Sequence, residues 1–294
     1  MSTNQPKPER AGFYYNLGVA YYALGQFESA IEGYDEAVRF NPEYSEAYHN
    51  RGNIYRDLGQ NVRAIEDYDK AIEHNPEYSA AYNNRGIAYY DLGEHWCAIN
   101  DYDEAIRNNP EYVVAYNNRG NAYLAVGEHA RAIEDYNEAV ALDPGNVAAY
   151  SNRGTAYHAL GDNQRAIEDY DEVIRINPDY SAAYNNRGNA YNDLEQHERA
   201  IEDYDEAIRL DPNDPDVHIN RGNILSGMDE FERAIEDYSE AIRIHPAYSE
   251  AYHNRGIAYH RLGLYEDSAR DLAKVDELRA KADNDTLDSD GPSE

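Results

Sequence analysis

With 294 residues and a formal net charge of −31, the chain is long enough for one or two globular domains and too acidic to adhere to nucleic acid or an anionic membrane. A single cysteine, Cys97, excludes an intrachain disulfide and fits a reducing compartment. The opening residues are polar, without a signal-type apolar segment, and nothing approaches 18 consecutive apolar residues. The expectation is a cytoplasmic protein with a protein or peptide partner, a basic one being the natural counterpart of the charge.

Residues 1–10 hold Pro6 and Pro8 and no apolar period, which predicts a disordered lead. From Ala11 the chain repeats every 34 residues, in eight units: 11–44, 45–78, 79–112, 113–146, 147–180, 181–214, 215–248 and 249–282. The signature Ala-Tyr-Asn-Asn-Arg-Gly stands at 81–86, 115–120 and 183–188, with near-copies in the other units. In the first unit Tyr14, Leu17, Gly18 and Tyr21 fall on one helical face, and Ala30, Tyr34 and Ala37 on the face of a second helix. Gly25 is the turn between them, and Asn41-Pro42 ends the second helix. A glycine also recurs inside every first helix (Gly18, Gly52, Gly86, Gly120 and onward). Each costs about 1 kcal/mol against alanine, so the row needs a packing reason, namely close approach of the neighbouring helix.

The units are not equal. Glu195 and Asp229 occupy the turn-glycine position of the sixth and seventh, and the seventh carries His218 and Leu225 where tyrosine is usual. Their junction is the expected site of first local opening. The eighth has Ala280 where proline would close it and a basic second helix (Arg270, Lys274, Arg279, Lys281) suited to a polar end. Residues 283–294 are predicted to form an acidic disordered tail, with no separate capping helix.

The period and the order Tyr, Leu-Gly, Tyr, Ala, Tyr, Pro resemble the tetratricopeptide repeat (TPR), tyrosine standing for that family's Trp and Phe. The resemblance spans residues 11–282. It implies an all-α fold in which antiparallel helix pairs stack into a right-handed superhelical solenoid, first helices lining a concave groove. It also implies a non-enzymatic scaffold or adaptor for protein–protein interaction.

Arg51, Arg85, Arg119, Arg153, Arg187, Arg221 and Arg255 precede the glycine, and Asp67, Asp101, Asp135, Asp169, Asp203, Asp237 and Asp271 lie at matching depth in the second helices. The first unit has Leu17 and Gly33 at these two places, so both partners vanish together. The expectation is an ion pair inside each unit rather than an anion-binding ladder.

The asparagines beside the arginines persist in every unit. An amide both donates and accepts, so it matches the alternating groups of an extended backbone. By resemblance to Asn-ladder TPR arrays, the groove is expected to hold an extended peptide or partner segment. The residues holding it would be Asn50, Asn84, Asn118, Asn152, Asn186, Asn220 and Asn254, with Asn53, Asn121 and Asn189 one turn on. The Lys or Arg of the TPR carboxylate clamp for chaperone tails is replaced by His49, Asn83, Asn117, Ser151 and Asn185. Acidic runs such as Glu66-Asp67-Tyr68-Asp69 fan around one tyrosine and predict a solvated face. His95 aligns with Phe27, Phe231 and Tyr265 and predicts packing rather than metal binding. No zinc-type spacing or phosphate-cradling loop is present, so no metal, cofactor or enzymatic activity is expected. Two other readings remain open: a structural protein acting by self-association, and an assembly chaperone for a basic client.

Overall fold

The computed structural model describes residues 7–289, with side chains described over 8–281. Among them are sixteen α-helices and no strand. The first helices of the units are α1 (Lys7–Ala23), α3 (Ser45–Asp57), α5 (Ser79–Asp91), α7 (Val113–Ala125), α9 (Val147–Ala159), α11 (Ser181–Asp193), α13 (Pro215–Gly227) and α15 (Ser249–Arg261). The second helices are α2 (Phe27–Phe40), α4 (Asn61–His74), α6 (His95–Asn108), α8 (His129–Leu142), α10 (Asn163–Ile176), α12 (His197–Leu210), α14 (Phe231–Ile244) and α16 (Tyr265–Ser289). The helices form two compact units, one reaching to Ala156 and the other starting at Tyr157.

Within a repeat the helices run antiparallel. Arg63 lies over the Tyr55 ring near the turn, Arg51 meets Asp67 midway, and the Tyr48 and His74 rings stack at the far end. From α2 to α12 each second helix stops where the sequence places Asn or Asp before proline, and α14 stops at His245 before Pro246. Asn41 is extended (φ −133°), as a residue before proline prefers, and its side chain accepts from the Glu43 amide at 3.2 Å. The same turn recurs at Asn75, Asn109, Asp143, Asn177 and Asp211. In the eighth repeat this stop is missing, and α16 runs for 25 residues to Ser289. The tail expected from 283 is therefore helical to that point, because nothing between Ala280 and Ser289 breaks the helix. At the other end α1 begins at Lys7, inside the expected lead: Pro8 falls in the first turn, where a missing N–H costs nothing. The remainder of both predicted segments lies outside the described residues.

The core is built from alanine and tyrosine. Tyr34, Tyr68, Tyr102, Tyr136, Tyr204 and Tyr238 are each at most 1% exposed. The helical glycines exist for these rings. A Cβ on Gly52, Gly86, Gly120, Gly188 or Gly222 would lie 2.6–2.8 Å from the Cε1 atom of the tyrosine opposite.

Between helices the turn residue is left-handed, as at Gly59 (φ 71°) and Gly93 (φ 78°). Glu195 (φ 58°) and Asp229 (φ 62°) hold the same conformation with a side chain. That costs about 1–2 kcal/mol for an ordinary residue and less for aspartate. After the entropy that glycine adds to the unfolded chain, Glu195→Gly is expected to stabilise by about 0.5–1 kcal/mol and Asp229→Gly by less. Urea denaturation midpoints check this; a destabilised E195G would show that the glutamate side chain is held by something stronger than the strain.

Candidate functional site on the first-helix face

The arginine row faces inward to the scaffold. Arg119 donates from Nε and Nη2 to the two carboxylate oxygens of Asp135 at 2.9 and 2.5 Å. Arg51–Asp67, Arg85–Asp101, Arg187–Asp203, Arg221–Asp237 and Arg255–Asp271 repeat this fork. The pairing inside a unit is therefore seen, but it is half of the arrangement. Each guanidinium also reaches the second helix of the preceding repeat through Nη1: Arg51 to Asp35, Arg85 to Asp69, Arg119 to Asp103, Arg187 to Asp171 and Arg221 to Asp205. Arg153 and Arg255 reach the neutral Asn137 and Ser239 in the same way. The arginine thus ties three helices together. Burial pushes the inner carboxyl groups up and the guanidinium pulls them down. Burial prevails at Asp67, Asp101, Asp135 and Asp203, whereas at Asp237 the added His218 ring, 3.6 Å away, tips the balance downward.

The asparagine row lies on the other side of the first helices, half-buried, and its members bond to side chains of the preceding repeat. Asn50 donates to the Tyr15 hydroxyl (3.0 Å), Asn118 to Asn83 Oδ1 (3.0 Å) and Asn220 to Asn185 Oδ1 (3.1 Å). Asn84, Asn152 and Asn254 donate to the asparagine one turn on in the preceding repeat, namely Asn53, Asn121 and Asn223, each at 2.9 Å. Those second asparagines are anchored from below by buried tyrosines: Tyr68 to Asn53, Tyr136 to Asn121, Tyr204 to Asn189 and Tyr238 to Asn223, at 2.6–2.9 Å. Asn186 holds the same register in α11. The structure thus sets the predicted asparagines along the first helices of each compact unit and gives most of them structural bonds. Asn50, Asn118, Asn152, Asn220 and Asn254 each use one N–H in these bonds, leaving the second N–H and at least one acceptor lone pair, whereas Asn84 uses both, on Asn53 and on His49 Nε2. Asn223 belongs to this network in the register of Asn53, Asn121 and Asn189, and the tyrosine hydroxyls that anchor it escaped the sequence reading.

Hollows open between successive first helices. One is lined by Ile87 and Tyr90 of α5, Tyr102 of α6, and Asn118 and Asn121 of α7. A second is lined by Asn223 and Ser226 of α13, Tyr238 of α14, and Asn254 and Ile257 of α15. Position for position these are the same site four repeats apart, with the apolar wall moved from the earlier helix (Ile87) to the later one (Ile257).

His49 occupies this face beside Asn50. Its Nε2 accepts from Asn84 at 3.0 Å, so Nδ1 carries the proton, facing Asn50 Oδ1 (3.3 Å) and the Tyr78 hydroxyl (3.2 Å). Burial pulls its pKa down to about 4. The folded protein keeps the ring neutral while the unfolded chain protonates it below 6.5, so the associated stability is present above 6.5 and is lost as pH falls toward 4. The loss is on the order of 2 kcal/mol. Thermal melts between these pH values should show it in the wild type and a flatter profile in His49→Asn, which installs the residue of Asn83; an equal slope in both would contradict it. His95 packs as expected, its ring 4.9 Å from Tyr90, just as Phe27 packs on Tyr22 and Tyr265 on His260.

A tandem array of antiparallel helix pairs with small residues at the crossing, proline stops and a shared first-helix face defines a class of helical repeat protein. Family models for the TPR repeat match residues 18–59, 52–93, 88–127, 120–161, 188–229 and 228–263, and tetratricopeptide repeat models match 147–180, 169–202 and 249–281. The chain belongs to the tetratricopeptide repeat family, whose members generally mediate protein–protein interaction and are typically non-catalytic scaffolds. Among solved structures it is similar to MamA, with 29% identity over 54% of this chain and 94% of that one and a TM-score of 0.52. It is similar to YrrB, a TPR protein with an unusual peptide-binding site, with 25% identity over 62% and 94% and a TM-score of 0.55. A tetratricopeptide repeat protein from Parabacteroides merdae shares the fold, with 21% identity over 85% and 99% and a TM-score of 0.63. A comparison with curated protein sequences returns no match. No helix among the described residues is long and apolar enough to cross a membrane.

Proposed function

We propose that the chain is a non-enzymatic adaptor whose first-helix face binds an extended peptide segment of a partner protein, a basic one given the charge of −31. The recurring hollow carries this reading: the same five positions form a recess in both compact units, with different walls. A segment laid across the first helices would meet the spare donors and acceptors of the asparagine amides through its backbone. It would place side chains in the recesses, an apolar one against Ile87 or Ile257 and a polar one against Asn223 and Ser226. The amides are already fixed by their bonds to the preceding repeat, so little ordering cost remains on binding. YrrB, with its peptide-binding site, supports the reading by similarity.

A displayed random-peptide library selected against the full chain tests it. Selected peptides should be enriched in Lys and Arg and bind less tightly as salt rises. Filling a recess by Ile87→Trp or Ser226→Phe should weaken them at least about tenfold, while Glu168→Gln on the second-helix face leaves them unchanged. A library yielding no binder, or binders indifferent to both fillings, would overturn the assignment.

A further inference from the structure

The core tyrosines of the second helices end in hydroxyls that need an acceptor. In the second, fourth, sixth and seventh repeats an asparagine one turn past the asparagine row supplies it: Tyr68, Tyr136, Tyr204 and Tyr238 donate to Asn53, Asn121, Asn189 and Asn223. The third repeat departs from this. Ile87 stands at that position, and an alkyl side chain accepts nothing. Tyr102 keeps the place of the other rings, 1% exposed, and its hydroxyl has no partner among the described residues. Burial pushes its pKa up, so the oxygen keeps its proton as an unused donor. A buried donor left unmatched is costly.

The hollow between α5 and α7 opens on this phenol, which lines it with Ile87, Tyr90, Asn118 and Asn121. Its volume of about 160 Å³ is several times the ~30 Å³ share of one water molecule. The amides around it are also short of acceptors. Asn121 Oδ1 already accepts from Tyr136 at 2.6 Å and from Asn152 at 2.9 Å, so its two N–H groups are what remains. Asn118 has given one N–H to Asn83 and keeps the other together with its Oδ1. None of the lining residues carries a charge. In the hollow between α13 and α15 the corresponding phenol, Tyr238, is already matched by Asn223 at 2.9 Å.

We infer, on the peptide-binding reading of this face, that the recess beside Ile87 selects a carboxamide side chain, glutamine or asparagine, from the bound segment. The amide oxygen accepts from the Tyr102 hydroxyl, in the role that Asn53 plays for Tyr68, and the amide nitrogen donates to Asn118 Oδ1. The methylene stem lies on Ile87, as an apolar side chain would. A carboxylate would be buried without a cation, and a leucine would leave Tyr102 unmatched.

Two small probes, N-acetylglutamine methylamide and N-acetylleucine methylamide, test this by NMR of the full chain labelled with ¹³C-tyrosine. The glutamine probe should shift the Tyr102 ring signal, identified by its loss in Tyr102→Phe, and the leucine probe should not. Peptides selected from the random library should carry Gln or Asn at one position, and replacing that residue by Leu should weaken binding roughly five- to tenfold. Ile87→Asn gives Tyr102 the partner that other repeats provide, so the Gln and Leu forms should bind this variant alike, as they should Tyr102→Phe. In urea, Tyr102→Phe should leave the midpoint unchanged, whereas Tyr136→Phe, which breaks the bond to Asn121, should lower it. Equal losses in the two would show that the Tyr102 hydroxyl is matched inside the fold and would overturn the inference. So would a Tyr102 signal that neither probe shifts or both shift alike, or selected peptides that prefer Leu, Ser or Thr to Gln and Asn. A library without binders, with the glutamine probe still shifting Tyr102, would sink the peptide reading and leave the carboxamide recess standing.

Discussion

Asp135→Ala is expected to cost about 3–5 kcal/mol, the range for removing one partner of a buried ion pair and stranding the other. The Asp135 side chain is 5% exposed and accepts both forks of Arg119, itself 19% exposed. Asp103, the second acid on the same arginine, is 48% exposed, and Asp103→Ala should cost less than about 1 kcal/mol. The double variant Arg119→Leu, Asp135→Gly reproduces the combination Leu17 and Gly33 found in the first repeat. It should be far less destabilised than the sum of its parts, because no unpaired charge remains. Urea denaturation of these three variants and of the single variants Arg119→Leu and Asp135→Gly decides the matter; additive losses in the double variant would show that the two residues do not act as a pair.

Gly120→Ala is expected to destabilise by about 2–3 kcal/mol, despite alanine's helix preference of about 1 kcal/mol. The added methyl would sit 2.6 Å from Cε1 and 2.8 Å from Cζ of Tyr136, a ring that is 0% exposed and whose hydroxyl is tied to Asn121. The ring therefore cannot step aside without leaving the core and the asparagine network together. Gly256 is the internal control. It faces Leu272 at 3.3 Å, a flexible side chain that is partly exposed, and Gly256→Ala should be nearly neutral. Equal losses at the two positions would refute the ring-clearance explanation.

Much of this was legible in the sequence because repetition supplies its own comparison. Proline and Asn-Pro marked the helix ends, the invariant glycine announced a close approach, and the joint loss of Arg and Asp in the first repeat exposed their pairing. What stayed hidden depends on how one repeat sits on the next. The second partner of each arginine lies sixteen residues upstream in a different repeat, and only the stacked geometry brings Asp103 to Arg119. The same holds for the asparagines: an unbroken row looks alike whether its amides face a ligand or bond to Asn53 and Asn121, and only the stacked geometry shows the bonds that Asn84 and Asn152 make there. The ends were misread for a local reason. A proline in a helix's first turn and a missing proline at its close both let helix extend into segments whose composition suggests disorder. Glu195 and Asp229 were visible as unusual turn residues, and their left-handed backbone shows what that costs.

The division of labour between the two rows, arginine for the scaffold and asparagine with its recesses for a partner, is the central claim. A crystal structure of the full chain with a library-selected peptide tests it most directly. The account predicts an extended segment across the first helices, its backbone within hydrogen-bond distance of Asn118 or Asn254 and a side chain in the recess beside Ile87 or Ile257. A peptide seated instead on the acidic second helices, around Glu66 or Glu168, would contradict it.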